Sequence, residues 1–166
     1  MRFRFLFLFA LLASWAQATS VVPPNFSELV AEADAIYRGR VSDVQARRVG
    51  RADGGSVIKT FVTIAIDRAL KGPEQRTVTL EFLGGTIGDE TMEVSGMPTF
   101  AVGDRGVVFV QKNGQQFCPL VRMGHGTYAI ARDDTTGEEY MARQNGVPLT
   151  DVSEVEIPLS DRPQHA

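Results

Sequence analysis

Residues 56–70 read SVIKTFVTIAIDRAL, and their apolar side chains return at every second position. Ile58, Val62, Ile64 and Ile66 fall on one face, and Lys59, Thr63 and Asp67 fall on the other. A helix would need apolar positions three and four apart, so this run is a strand with one buried face. A one-residue slip would turn every one of these side chains to the wrong side, so the pattern also fixes register. The same alternation recurs in RTVTLEFL, with Val78, Leu80 and Phe82 inward. AIYRGRVSDVQARR is a further strand, and Gly39 inside it marks a bulge or sharp bend. VVFVQK is apolar on both faces, as a central strand should be.

Turn residues punctuate these runs. GRADGG and KGPEQ separate strands, and Asn113–Gly114 predicts a hairpin that returns the chain into a strand over QQFCPLVRM. GTYAIAR and EEYMAR flank DDTTG as a last hairpin. One segment has helical spacing. Phe26, Leu29, Val30 and Ala33 share a face behind Asn25 and Glu28, which are spaced as a capping box. About seven short strands with one short helix predict an all-β domain.

The first residues stand apart. MRFRFLFLFALLASWAQA has Arg2 and Arg4, then an apolar run too short to span a bilayer, then Ala16 and Ala18 in an A-x-A arrangement. This predicts a secretory signal peptide over residues 1–18, a single β-rich domain over 19–157 and a flexible tail over 158–166. Export with only one cysteine, Cys118, leaves no internal disulfide, so the core must stabilise the fold. Cys118 itself reads as a small buried hydrophobe. The 17 basic and 20 acidic side chains give a net charge of −3, which argues against a nucleic-acid partner. No later segment is apolar enough for a membrane span.

The order of FSELVAEADAIYRGRVSDV, VIKTFVTIAIDRALKG, LEFLGG, VSGMPTFAVGDRGVVFVQ and MGHGTYAIARDDTTGEEY resembles a group of uncharacterised secreted bacterial β proteins. Its first half is similar to the small OB-like barrels of tissue-inhibitor and netrin-like modules. The resemblance implies an OB-like small barrel with an extra C-terminal β-hairpin and a short N-terminal helix, the alternative being a β-sandwich. Tissue inhibitors hold zinc through a disulfide-bonded N-terminal cysteine. Here the expected mature N-terminus is Thr19 and the one cysteine is Cys118, so that mechanism does not carry over.

The chemistry-bearing residues are sparse. LGGTIGDETMEVSGMPTF, residues 83–100, is glycine-rich but lacks G-x-G-x-x-G spacing and a lysine, and Asp89 and Glu90 would repel a phosphate. Two histidines, His125 and His165, make no ligand set, so neither a metal nor a cofactor is expected. DDTTGEE lacks the alternate-position spacing of a calcium loop and reads as an Asp-initiated turn. Cys118 and His125 lack a fixed orienting partner, and there is no G-x-S-x-G elbow, so no catalytic residue is assigned. His125, between glycines, reads chiefly as structural.

These absences favour an exported, non-enzymatic interaction module whose partner is a protein of the envelope or extracellular space. A protease-associated inhibitor or accessory protein and a small periplasmic hydrolase are the alternatives. Small barrels hold specificity in their loops. The candidate contact residues are therefore Arg51 and Asp53 in RRVGRADGGS, Thr86, Asp89, Glu90, Met92 and Met97 in residues 83–98, and His125 in GHG.

Overall fold

A computed structural model describes residues 22–156. The expected signal peptide over residues 1–18 and the expected tail from residue 158, with His165, lie outside them. The described chain is mostly strand. A six-stranded antiparallel sheet has the order β3-β2-β1-β6-β7-β8. Its members are β1 (Ala35–Gly50), β2 (Ser56–Lys71), β3 (Thr77–Leu83), β6 (Arg105–Val110), β7 (Thr127–Arg132) and β8 (Glu139–Ala142). A separate two-stranded hairpin joins β4 (Gly85–Ile87) to β5 (Glu90–Met92). Among the described residues no helix is long and apolar enough to cross a membrane.

Both sheet faces are covered at the centre. On the convex face Ile36, Val107, Phe109 and Tyr128 pack against Leu29 of helix α1 (Phe26–Glu32) and Val155 of a 3-10 turn, Val152–Glu156. The helix forms because Asn25 caps it: Asn25 Oδ1 accepts the Glu28 N–H at 2.8 Å, and Glu28 Oε2 accepts the Asn25 N–H at 3.1 Å. Burying Leu29 completely contributes roughly 1.5–3 kcal/mol. Phe109 meets Phe26 and Tyr128 edge to face.

On the concave face Tyr37, Val41, Val62, Ile64, Leu80 and Val108 form the second core. Strand β6 lies between β1 and β7 and buries alternate residues in the two cores, which is why its sequence is apolar throughout.

The all-β expectation fits, but the barrel is not closed. The outer strands β3 and β8 do not pair. The strand expected over residues 115–123 is replaced by turns and one isolated bridge between Val110 and Leu120. Pro119 has no N–H to give a ladder, although its carbonyl accepts from Gln111 N–H at 2.9 Å. The Gln116 side chain donates to the carbonyls of Gln111 and Cys118, and Arg122 and Met123 take left-handed backbone angles. Extended pairing is lost at each of these points.

The same segment protects the outer edge of β3. Asn113 Oδ1 accepts Glu81 N–H at 3.0 Å, Asn113 Nδ2 donates to Thr79 carbonyl at 2.8 Å, and Leu83 N–H donates to Phe117 carbonyl at 2.8 Å. The expected Asn113–Gly114 hairpin is thus a turn without a returning strand, its amide spent on a neighbouring strand.

Candidate functional site

Residues 83–100 are more ordered than their composition suggests. Gly88, at φ 58°, occupies the first turn position between β4 and β5, as a two-residue hairpin loop requires. The hairpin folds onto the sheet because Gly85 has no side chain. A Cβ there would stand 2.3 Å from Thr60 Oγ1. Gly84 N–H donates to Ile58 carbonyl at 2.8 Å, and Thr60 Oγ1 donates to Gly84 carbonyl at 2.7 Å. At the far end Arg48 of β1 pairs with Glu90, and this partner holds the Glu90 carboxyl below the usual carboxylate range. Thr86 and Thr91 share a hydroxyl hydrogen bond of 3.0 Å across the hairpin.

Residues 97–100 then cross the concave face. Met97 packs on the core, Pro98 is buried, and the Phe100 ring lies 5.3 Å from that of Phe82. Asp104 Oδ2 accepts Ala101 N–H at 2.7 Å and fixes the end of the crossing. This bar divides the face into two open clefts that share Met97, Thr99 and Phe100. One, of about 640 Å³, lies under the hairpin between Val44, Val62 and Phe82 below and Thr86, Thr91 and Met92 above. The other, of about 610 Å³, lies over Gly39 and Gly106, with Val41, Ile64 and Thr127 beside them. Both have the size of ligand clefts. The first has an apolar floor and a rim of threonine hydroxyls. Such a lining can hold an extended apolar segment by contact and hydrogen bonding.

The predicted contact residues divide accordingly. Thr86, Met92 and Met97 line the hairpin cleft. Glu90 braces the hairpin, and Asp89 stands exposed in its turn. Arg51 and Asp53 sit in the β1–β2 turn, pair with each other at 2.8 Å and line neither cleft. His125 is only 7% exposed, in a 3-10 turn over Met123–Gly126. A Cβ at Gly126 would lie 2.7 Å from the Val121 carbonyl, so this turn is pressed against the chain before it. Burial, then Arg143 and Arg122, push the His125 imidazole below its ordinary value.

Cys118 is 2% exposed in the concave core, and burial pushes its thiol up, away from the thiolate a nucleophile needs. In the acidic DDTTG turn, Asp133 Oδ1 already accepts the N–H groups of Thr135 and Thr136, and these bonds lower its carboxyl. Among the described residues no three His, Cys, Asp or Glu side chains converge as a metal set.

Thr60, Thr91, Thr99, Phe100 and Gly106 were missed by sequence reasoning. Their role depends on which loop crosses which strand, and only Gly39 carried a local signal. The chain matches no protein family, no curated protein and no solved structure.

Proposed function

We propose that this protein is an exported, non-enzymatic binding module, and that its partner, a protein, seats an extended apolar segment in the concave clefts. The supporting observation is the pinned β4–β5 hairpin, held at Gly84, Gly85 and Glu90 above an apolar floor that it leaves open. A rigid sheet carrying a fixed overhang presents a preorganised seat, which lowers the ordering cost of binding. We read the scaffold as an open relative of the OB-like barrel. Strand β1 pairs with both β2 and β6, and residues 113–121 reach from the end of β6 to the outer edge of β3 through single hydrogen bonds, which supports this reading.

The test is an affinity capture from envelope and culture-supernatant extract with wild type and Thr99→Trp. Thr99 is exposed and borders both clefts, so the indole fills them from the rim without entering the core. Unchanged thermal melting confirms the fold of the variant. A protein recovered by wild type and lost with Thr99→Trp supports the reading. Identical recovery by both proteins places any partner elsewhere and sinks it.

A further inference from the structure

The convex face is covered by α1 only at its Ile36–Phe109 end. Beyond the apolar residues that α1 and the Val152–Glu156 turn cover, that face carries arginines in an arrangement that opposes folding. Arg38 on β1 stands directly opposite Arg68 on β2, and Arg40 on β1 stands directly opposite Arg105 on β6. Directly opposed residues of an antiparallel pair share a face, and like charges there destabilise the sheet. Arg132 on β7 joins them, since its opposite residue on β8 is Glu139.

Glu139 is the principal counter-charge. It pairs with Arg38 at 3.3 Å and with Arg105, and Arg105, Arg38 and Arg132 all favour its ionised form. Asp67 adds a second carboxylate that acts on Arg105. Five arginines thus share this region with two carboxylates, and Arg132 also gives its Nε to the Gly137 carbonyl at 2.7 Å. Arg40 and Arg68 have no ion-pair partner among the described residues, and the Nε of Arg38, shielded from solvent, has no hydrogen-bond acceptor there. This excess of donors sits on a chain whose net charge is −3.

We infer that the arginine patch of Arg38, Arg40, Arg68, Arg105 and Arg132 is a docking surface for an acidic segment of a partner protein. The fit is chemical. Guanidinium forks take carboxylates bidentately, and Glu139 between Arg38 and Arg105 shows the mode of contact. An incoming run of carboxylates would fill the free donors and relieve both Arg–Arg oppositions. A bilayer or a nucleic acid would present phosphates in bulk to a chain that is acidic overall, with Glu139 and Asp67 inside the contact. The surface lies mainly across the sheet from the clefts: none of its arginines lines the hairpin cleft, and Arg105 alone also borders the cleft over Gly39 and Gly106.

Fluorescence anisotropy with a labelled glutamate decapeptide tests this, at low and at physiological salt. Wild type should bind at low salt and weaken as salt rises, because the contacts are exposed. Arg40→Gln/Arg68→Gln should lower affinity by about tenfold or more, a loss on the order of 1.4 kcal/mol. Its thermal midpoint should match or exceed that of wild type, since each change removes a like-charge opposition. Arg47→Gln/Arg51→Gln makes the same change of net charge outside the patch and should keep the affinity. Thr99→Trp should keep it too, which separates this surface from the clefts. The inference is overturned by no peptide binding, by equal loss in the two double variants, by loss in Thr99→Trp, or by a lowered midpoint in Arg40→Gln/Arg68→Gln. Sedimentation with phosphatidylglycerol vesicles, if they bind in place of the peptide, overturns it in favour of a membrane.

Discussion

Gly39 of β1 and Gly106 of β6 face each other in the β1–β6 register, and both floor the same concave cleft. A Cβ at Gly39 would lie 2.3 Å from the Ala65 carbonyl oxygen on β2. One at Gly106 would lie 2.5 Å from the Tyr128 carbonyl oxygen on β7. Strands on both flanks therefore lean in toward this pair, and the register of β1 against β2 shifts between Arg38 and Gly39. The absent side chains let the flanking strands approach this closely, and they leave open the cleft that lies over the pair. Neither glycine has a positive φ, so close approach alone selects it.

Gly39→Ala and Gly106→Ala should each destabilise the protein by about 1–3 kcal/mol, because the contacted atoms are backbone and cannot swing aside. Gly50→Ala, in the same strand with nothing within 4 Å, should change stability by less than about 0.5 kcal/mol. Urea midpoints compared across the three variants check this. Equal losses in all three would show that strand glycines matter here through backbone entropy and not through contact.

Gly85→Ala tests the seating of the hairpin. Its φ is 134°, and the new methyl would meet Thr60 Oγ1 first. The hairpin should lift from β2 while the six-stranded sheet persists. Hydrogen exchange should then quicken at the β4 and β5 amides with little change in β1, β2 and β6. Uniform quickening would make the hairpin part of the global folding unit.

Asn113→Ala removes two hydrogen bonds from the outer edge of β3. A loss of about 1–2 kcal/mol is expected. The uncovered edge should also promote self-association, read by analytical ultracentrifugation as mass that grows with protein concentration. A strictly monomeric variant of unchanged stability would show that water replaces the amide at no penalty.

The parts legible in the sequence are those whose signal is local. The capped helix, the alternation of β2 and β3, the doubly buried β6 and the β7–β8 hairpin all follow from neighbours in the chain. The β4–β5 hairpin escaped because strands of three residues carry no measurable period, and Gly88–Asp89 reads as one more loop glycine. The segment around Pro119 misled because its apolar residues suit a strand whose hydrogen bonds Pro119 and Gln116 then withdraw. The cleft joins Thr60 on β2 to Thr91 on β5 and Thr99 beyond, a relation that only the hairpin's docking creates. The arginine patch was equally hidden, since Arg40 and Arg105 become neighbours only once register is known.

Buried groups whose charged form burial opposes shape the pH dependence of stability, His125 and Tyr128 among them. His125 has its folded value depressed by burial, Arg143 and Arg122. The unfolded chain therefore takes up the proton more readily near the ordinary histidine value of about 6.5. Its contribution is fully present above that pH and is lost as pH falls through the folded value. Tyr128 is the opposite case: burial raises its phenol from 10.0 to about 12. The unfolded chain ionises first, so this contribution is complete below pH 10 and is lost as pH rises toward 12. Two units correspond to roughly 2–3 kcal/mol as an upper figure. Urea midpoints measured from pH 5 to 12 should thus form a plateau that falls at both ends. His125→Gln should flatten the decline between pH 6.5 and 5, which lies above the range where Glu32, Glu90 and Glu139, all lowered by arginine partners, lose theirs. Tyr128→Phe should flatten part of the alkaline decline, the remainder coming from the Cys118 thiol and the Tyr37 phenol, which burial also raises. If either limb persists unchanged in its variant, that limb belongs to another group.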